Sequence, residues 1–192
     1  MLQTGHRSRL RLGRRPGCGR RLSAQDRRGE QHVVATLPVA NPFVGAFGAG
    51  ALWIGSGSDV LRVDTATNRV TARIAVGGDA IVQAFGAGTA WVDLPNGVAR
   101  IDAATNAVVA RIRLPGAGRE VPHWVVDGET AWVSGVSGAR AVLWRINTST
   151  NAVTGFVAIG ASTDEIGDLA AGAGAVWASL FNGDTVVRVT PS

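Results

Sequence analysis

Beyond residue 40, apolar residues alternate with polar ones in short runs, and turn-forming residues interrupt the runs every few positions. Leu52-Trp53-Ile54 and Ala90-Trp91-Val92 open such segments. Val60-Leu61-Arg62-Val63 and Val98-Ala99-Arg100-Ile101 follow them across Gly/Ser/Asn-rich loops. A second turn then leads into residues 69–76 and 107–114, and a small apolar stretch, 44–47 or 81–85, precedes the next glycine turn. A period of two marks half-buried strands, and no helix-forming run competes with it. The pattern predicts four short strands per unit.

The unit repeats. Gly48-Ala49-Gly50-Ala51-Leu52-Trp53 returns as Gly86-Ala87-Gly88-Thr89-Ala90-Trp91, as Asp127-Gly128-Glu129-Thr130-Ala131-Trp132 and as Gly172-Ala173-Gly174-Ala175-Val176-Trp177. The tryptophans stand 38, 41 and 45 residues apart. Four antiparallel strands in a period of about 40 predict the blade of a β-propeller, an all-β fold, rather than a helical solenoid. Small residues in the innermost strand suit a position near the crowded central axis. A second constant turn, Asp64-Thr65-Ala66-Thr67-Asn68, recurs at 102–106 and 147–151. Its Asp or Asn can bond the nearby backbone, and its last Asn tolerates positive φ.

The ends of the repeat carry phase. His32-Val33-Val34-Ala35-Thr36-Leu37-Pro38-Val39 aligns with the fourth strand of later units, and the last unit stops after a third strand at Val189. Pairing residues 32–39 with residues 185–190 would complete a fourth blade, which predicts a closed four-bladed propeller. The alternative is an arc of a larger ring, whose uncovered apolar blade faces would call for self-association.

Charge separates the chain into two parts. Residues 1–31 hold nine of the 19 basic residues, all arginine, against two acids. So arginine-rich a segment buries too little to offset chain entropy and is expected to lack fixed structure, leaving residues 32–192 as the propeller. The propeller part is slightly acidic, so nucleic acid is not an expected partner despite the formal net charge of +5. No apolar stretch has the length of a membrane span. Arg14-Arg15 is followed by no apolar segment of the length an export signal needs. Cys18, the one cysteine, forms no intramolecular disulfide and leaves the compartment open.

Candidate chemistry sits in the loops leading into the innermost strands, where a propeller's functional face is built. They carry Asn41, Asp79, Arg119, Glu120, His123, Asp164, Glu165 and Asp168. Acids around a central mouth suit a cation or a polar ligand. His123 has no second mouth histidine to work with, since His32 falls on the expected outer strand. Repetition in every unit assigns Trp53, Trp91, Trp132 and Trp177 to packing between blades. Trp124 and Trp144 break the repeat, both in the third unit, where the segments 114–122 and 134–141 read as longer loops. They are therefore candidates for a specialised surface, with gap filling as the alternative. No phosphate-cradling loop and no nucleophile elbow occurs.

Segments such as Gly50-Ala51-Leu52-Trp53-Ile54 and 60–70, Val60-Leu61-Arg62-Val63-Asp64-Thr65-Ala66-Thr67-Asn68-Arg69-Val70, resemble YVTN-type propeller repeats, related to those of virginiamycin B lyase. The resemblance covers roughly residues 32–192. It implies the propeller, relatives that are often exported, and, through Val121-Pro122-His123-Trp124, a lyase-like alternative in which His123, Glu120, Asp164, Glu165 and Asp168 would serve a metal. The residues themselves favour a non-enzymatic module that binds a protein or small-molecule ligand on the loop face, with no cofactor. Its candidate ligand-binding residues are His123, Trp124, Glu120, Arg119, Asp79, Asp164, Glu165 and Asp168.

Overall fold

A computed structural model describes residues 32–95, 97–115 and 122–190, the Val44 side chain excepted. Residues 1–31, on which the expectation of an unstructured arginine-rich tail falls, lie outside the described part. Two compact units meet between Thr36 and Leu37. Of the first, residues 32–36 are described and form no regular element. Among its described residues the second holds fifteen β-strands and no helix.

The strands form four antiparallel sheets arranged as a four-bladed β-propeller. The first blade is β1 (Pro42–Gly48), β2 (Ala51–Ser56), β3 (Asp59–Asp64) and β4 (Arg69–Ala75), hydrogen-bonded in that order. The second is β5 (Ile81–Gly86), β6 (Thr89–Leu94), β7 (Gly97–Asp102) and β8 (Ala107–Ile112). The third is β9 (Trp124–Asp127), β10 (Thr130–Ser137), β11 (Arg140–Asn147) and β12 (Val153–Ala161). The fourth is β13 (Ile166–Gly172), β14 (Ala175–Leu180) and β15 (Thr185–Val189). The first strand of each blade is innermost: β1 lies against β5, β5 against β9, and β9 against β13.

The closing strand predicted for the fourth blade does not form. Residues 32–39 carry no strand, and the fourth sheet has three strands among the described residues. The outer strands show why such a closure is weakly driven. At least half of the residues of β4 and β8 are exposed, and each strand has one buried residue, Ile74 or Ile112. β4 and β8 follow their partners across four residues, whereas residues 32–39 would have to be brought to residues 185–190 from the other end of the chain, and so little burial does not offset that closure entropy. A second correction concerns residues 134–141, where the connection is only the two-residue turn 138–139 and not a longer loop. They extend the β10–β11 hairpin, with Ser134 opposite Leu143 and Ser137 opposite Arg140.

Cohesion comes from between the blades, in three apolar clusters. Trp53, Val60, Ile74, Val82, Val92 and Ile101 fill the contact of blades one and two. Trp91, Ile112, Trp124, Val133 and Trp144 fill that of blades two and three, and Trp132, Leu143, Leu169 and Val176 that of blades three and four. Phe85 on the innermost strand of blade two stacks on Trp53 of blade one, ring centroids 6.1 Å apart. Its ring lies where a side chain at Gly48 would stand, so only glycine fits there. Gly86 admits Val126 of blade three in the same way.

Arginine completes the junction. In each blade the third-strand residue directly opposite the tryptophan is Arg62, Arg100, Arg145 or Arg188. Each guanidinium lies over its indole, at 4.5 Å for Arg100 and 5.5 to 5.8 Å for the others. Arg62 then donates to Asn106 Oδ1 of the next blade at 3.3 Å. Arg100, only 6% exposed, donates to the Thr148 carbonyl and to Asn151 Oδ1 of the next blade. Both acceptors lie in the second constant turn. There Asp64, Asp102 or Asn147 accepts from the backbone N–H groups two and three residues on and from the Thr67, Thr105 or Thr150 hydroxyl. The threonine hydroxyl, with those amides, holds the Asp64 and Asp102 carboxyls below their ordinary range. The turn ends on Asn68, Asn106 or Asn151 at φ between 54° and 59°, as the sequence predicts.

Asn106→Ala should therefore cost about 1–2 kcal/mol in urea unfolding from left-handed backbone strain alone. Asn106→Gly should recover that part and leave only the loss of the bond from Arg62, about 1 kcal/mol.

Candidate functional site

At the loop end of each blade the second strand places a polar or small residue two positions after the tryptophan: Gly55, Asp93, Ser134 or Ser179. In blades three and four that serine organises the segment leading to the innermost strand. The His123 N–H donates to Ser134 Oγ at 2.7 Å, and the Ser134 N–H returns a bond to the His123 carbonyl at 3.0 Å. The Asp168 N–H donates to Ser179 Oγ at 3.1 Å. The two serines thus fix the backbone of His123 and Asp168 from neighbouring blades. Their side chains meet at 3.7 Å, from Nδ1 to Oδ1, across the junction of β9 and β13.

The pair is asymmetric. The His123 side chain is 37% exposed and that of Asp168 84%. Asp168 Oδ1 also accepts the Leu169 N–H at 2.8 Å, which leaves Oδ2 turned to no protein donor among the described bonds. An imidazole nitrogen 3.7 Å from an open carboxylate offers a ligand two polar groups within a few ångströms. With the imidazole protonated the pair is an ion pair, mostly solvated and hence weakly bound to itself.

The other sequence candidates separate. Asp164 accepts the Ala161 N–H at 2.7 Å and so braces the turn between β12 and β13. Glu165 and Asp79 are exposed, Asp79 in the loop between β4 and β5. Arg119 and Glu120 lie outside the described residues. Trp124 is no surface residue: it is 7% exposed on β9, and its ring centroid lies 5.9 Å from that of Trp91. Trp144, 5% exposed, packs edge-on against Phe156 at 4.9 Å. Both fill space in the wider third blade. Among the described residues no three His, Cys, Asp or Glu side chains converge as a metal ion requires.

Asp93 escaped the sequence reading. It occupies the position of Ser134 and Ser179 in blade two, opposite Ile81 at the start of β5. Burial pushes its carboxyl up to about 7, against a smaller opposing pull from the Leu94 backbone N–H. Its signal was present in the sequence, as an acid at a strand position where the other blades place glycine or serine. A separate cavity of about 460 Å³ lies between the β4–β5 and β6–β7 loops, lined by Gly77, Leu94, Pro95, Arg111 and Arg113. Arg111 is already engaged there by the Val76 carbonyl at 2.7 Å.

No protein-family profile and no curated protein matches this chain. Solved structures do. The extracellular domain of BT4673 from B. thetaiotaomicron superposes with a TM-score of 0.57 at 13% identity, over 84% of this chain and 24% of that one. BamB from Moraxella catarrhalis gives 0.54 at 13% identity, over 77% and 53%. Saccharomyces cerevisiae Sqt1 gives 0.52 at 13% identity, over 74% and 42%. The chain thus spans about a quarter to about a half of the length of these proteins. Likeness at this identity shows the fold alone, a β-propeller.

Asp93 gives the site a pH signature. Its carboxyl ionises near 3.8 in the unfolded chain and near 7 in the fold. Between those values the folded state keeps a proton that the unfolded state has released, so the Asp93 contribution to stability falls as pH rises through that window. The difference in urea midpoint between the wild type and Asp93→Asn should shift against the wild type from pH 4 to pH 7 and level off above it.

Proposed function

We propose that this propeller is a non-enzymatic binding module that recognises a protein or small-molecule ligand on its loop face, centred on His123 and Asp168. The observation that carries this reading is their contact across two blades, with each backbone anchored by a serine of its own second strand. A side-chain pair positioned by backbone hydrogen bonds from rigid strands is preorganised, and preorganisation is what lets a few polar groups orient a ligand. Glu165 and Asp168, both exposed, tilt this face toward a ligand that brings hydrogen-bond donors or positive charge. Kinship with YVTN-type propellers belongs to the same reading. It rests on the turn that begins with Asp or Asn and closes with Thr-Asn, and on the tryptophan strand of each unit. No observation favours a lyase over a binding module.

The test is an NMR titration of labelled protein with a panel of small cationic and polar compounds. Shifts should cluster at His123, Ser134, Asp168 and Ser179 and vanish in Asp168→Asn. Binding that maps only to outer strands, or that survives this substitution unchanged, would contradict the assignment of the site.

A further inference from the structure

The junctions of blades one with two and two with three share three contacts, and the two outermost faces of the propeller present the two halves of another such junction. The first contact is a knob in a seat. Phe85 covers Gly48 and Trp53, and Val126 covers Gly86. The corresponding seat on blade four is bare: a side chain at Gly172 would meet nothing within 4 Å. Trp177 beside it is 39% exposed, whereas Trp53, Trp91 and Trp132 are at most 1% exposed. The corresponding knob on blade one is Phe47, which holds the position of Phe85 and is 65% exposed.

The second contact is the arginine clamp. Arg62 and Arg100 reach forward to the constant turn of the next blade. Arg188 holds the same place over Trp177, on the bare side of blade four. The third contact is the covering of that turn. Ala103 and Thr148 at its second position are 7% and 6% exposed, being roofed by the preceding blade. Thr65, their equivalent in blade one, is exposed, as is Asn68. Asn68 already stands at φ 54°, the conformation in which Asn106 and Asn151 accept an arginine. Bare seat and free knob, unanswered clamp and preformed acceptor match in kind and in register.

We propose that a second copy of this chain docks head to tail, with blade one of one copy against blade four of the other. Phe47 of the incoming copy enters the seat of Gly172 and Trp177, and Arg188 bonds its Asn68 turn. The occupant is chosen by complementarity: the face that fits blade four is the face this chain itself carries on blade one. Within one chain the same contact is not made, since Phe47 and Trp177 are both exposed. Such an interface is heterologous, joining two different patches, so copies close into a ring if the rotation allows and otherwise extend.

Sedimentation velocity of the full chain over a concentration series tests this. The wild type should associate as concentration rises, and association should bury Trp177 from acrylamide quenching. Phe47→Asp removes the knob and Gly172→Leu fills the seat. Each change falls at an exposed position, so thermal unfolding at low concentration should stay close to wild type while association is lost. Arg188→Ala, a milder change, should weaken association without abolishing it. An equimolar mixture of Phe47→Asp and Gly172→Leu retains one intact face of each kind and should form a pair that neither variant forms alone. A wild type that stays monomeric at every concentration overturns the proposal, including one whose Trp177 is protected by its own Phe47. Association that survives Phe47→Asp overturns it too, as does failure of the mixed variants to pair.

Discussion

A guanidinium lying over an indole, and reaching from there into the next blade's turn, is the contact on which the setting of the first three blades depends. A propeller blade is too small to bury its own faces. Each must be covered by a neighbour, and the cover must hold at a fixed angle. Apolar packing supplies the cohesion but little direction. The arginine supplies the direction, because its planar fork can sit on an aromatic face and donate along its edge at the same time. Arg100 does both while nearly buried, with its charge compensated by the Trp91 face, the Thr89 hydroxyl and two acceptors of the following turn. Burial lowers its pKa, yet the group stays within hydrogen-bonding reach of every acceptor it needs.

Much of the fold was legible because repetition amplifies weak local signals. One alternating segment around Trp53 is ambiguous, but four at similar spacing, three of them followed by the same Asp/Asn turn, are not. What stayed hidden were properties of single members of a repeated set. Trp177 has the sequence context of the other three tryptophans and differs only in what lies beside it. Trp124 and Trp144 break the pattern, which suggested a surface, yet the wider hairpin of blade three needed filling, and aromatic rings fill space. The strand expected at residues 32–39 has the right phase, but phase does not supply the burial that would hold an outer strand in place. The arginines were in view in every third strand. Their role was missed because their partners lie in the next unit, some 44 to 51 residues away.

The same logic separates scaffold from site. Features that recur, the tryptophan and the arginine in all four blades and the Asp/Asn turn in three, belong to the contacts between blades. The position two residues after the tryptophan is different: it is constant in place but not in chemistry. Gly55, Asp93, Ser134 and Ser179 share one location in the strand. The serines aim His123 and Asp168, while Asp93 carries a carboxyl that burial holds near neutrality. A rigid framework with variable residues at one level is how a repeat fold acquires a binding face without risk to its core.

The most direct test of the arginine's part is a double-mutant cycle on Arg100 and Asn151, read by urea unfolding at a concentration low enough to keep the protein monomeric. If the guanidinium joins blades two and three, Arg100→Met and Asn151→Gly should be strongly non-additive, with a coupling energy of about 1–3 kcal/mol. Glycine at 151 keeps the left-handed backbone available and so isolates the lost bond. A coupling within about 0.3–0.5 kcal/mol of zero, as for independent sites, would mean that packing alone sets the blades and would contradict the account.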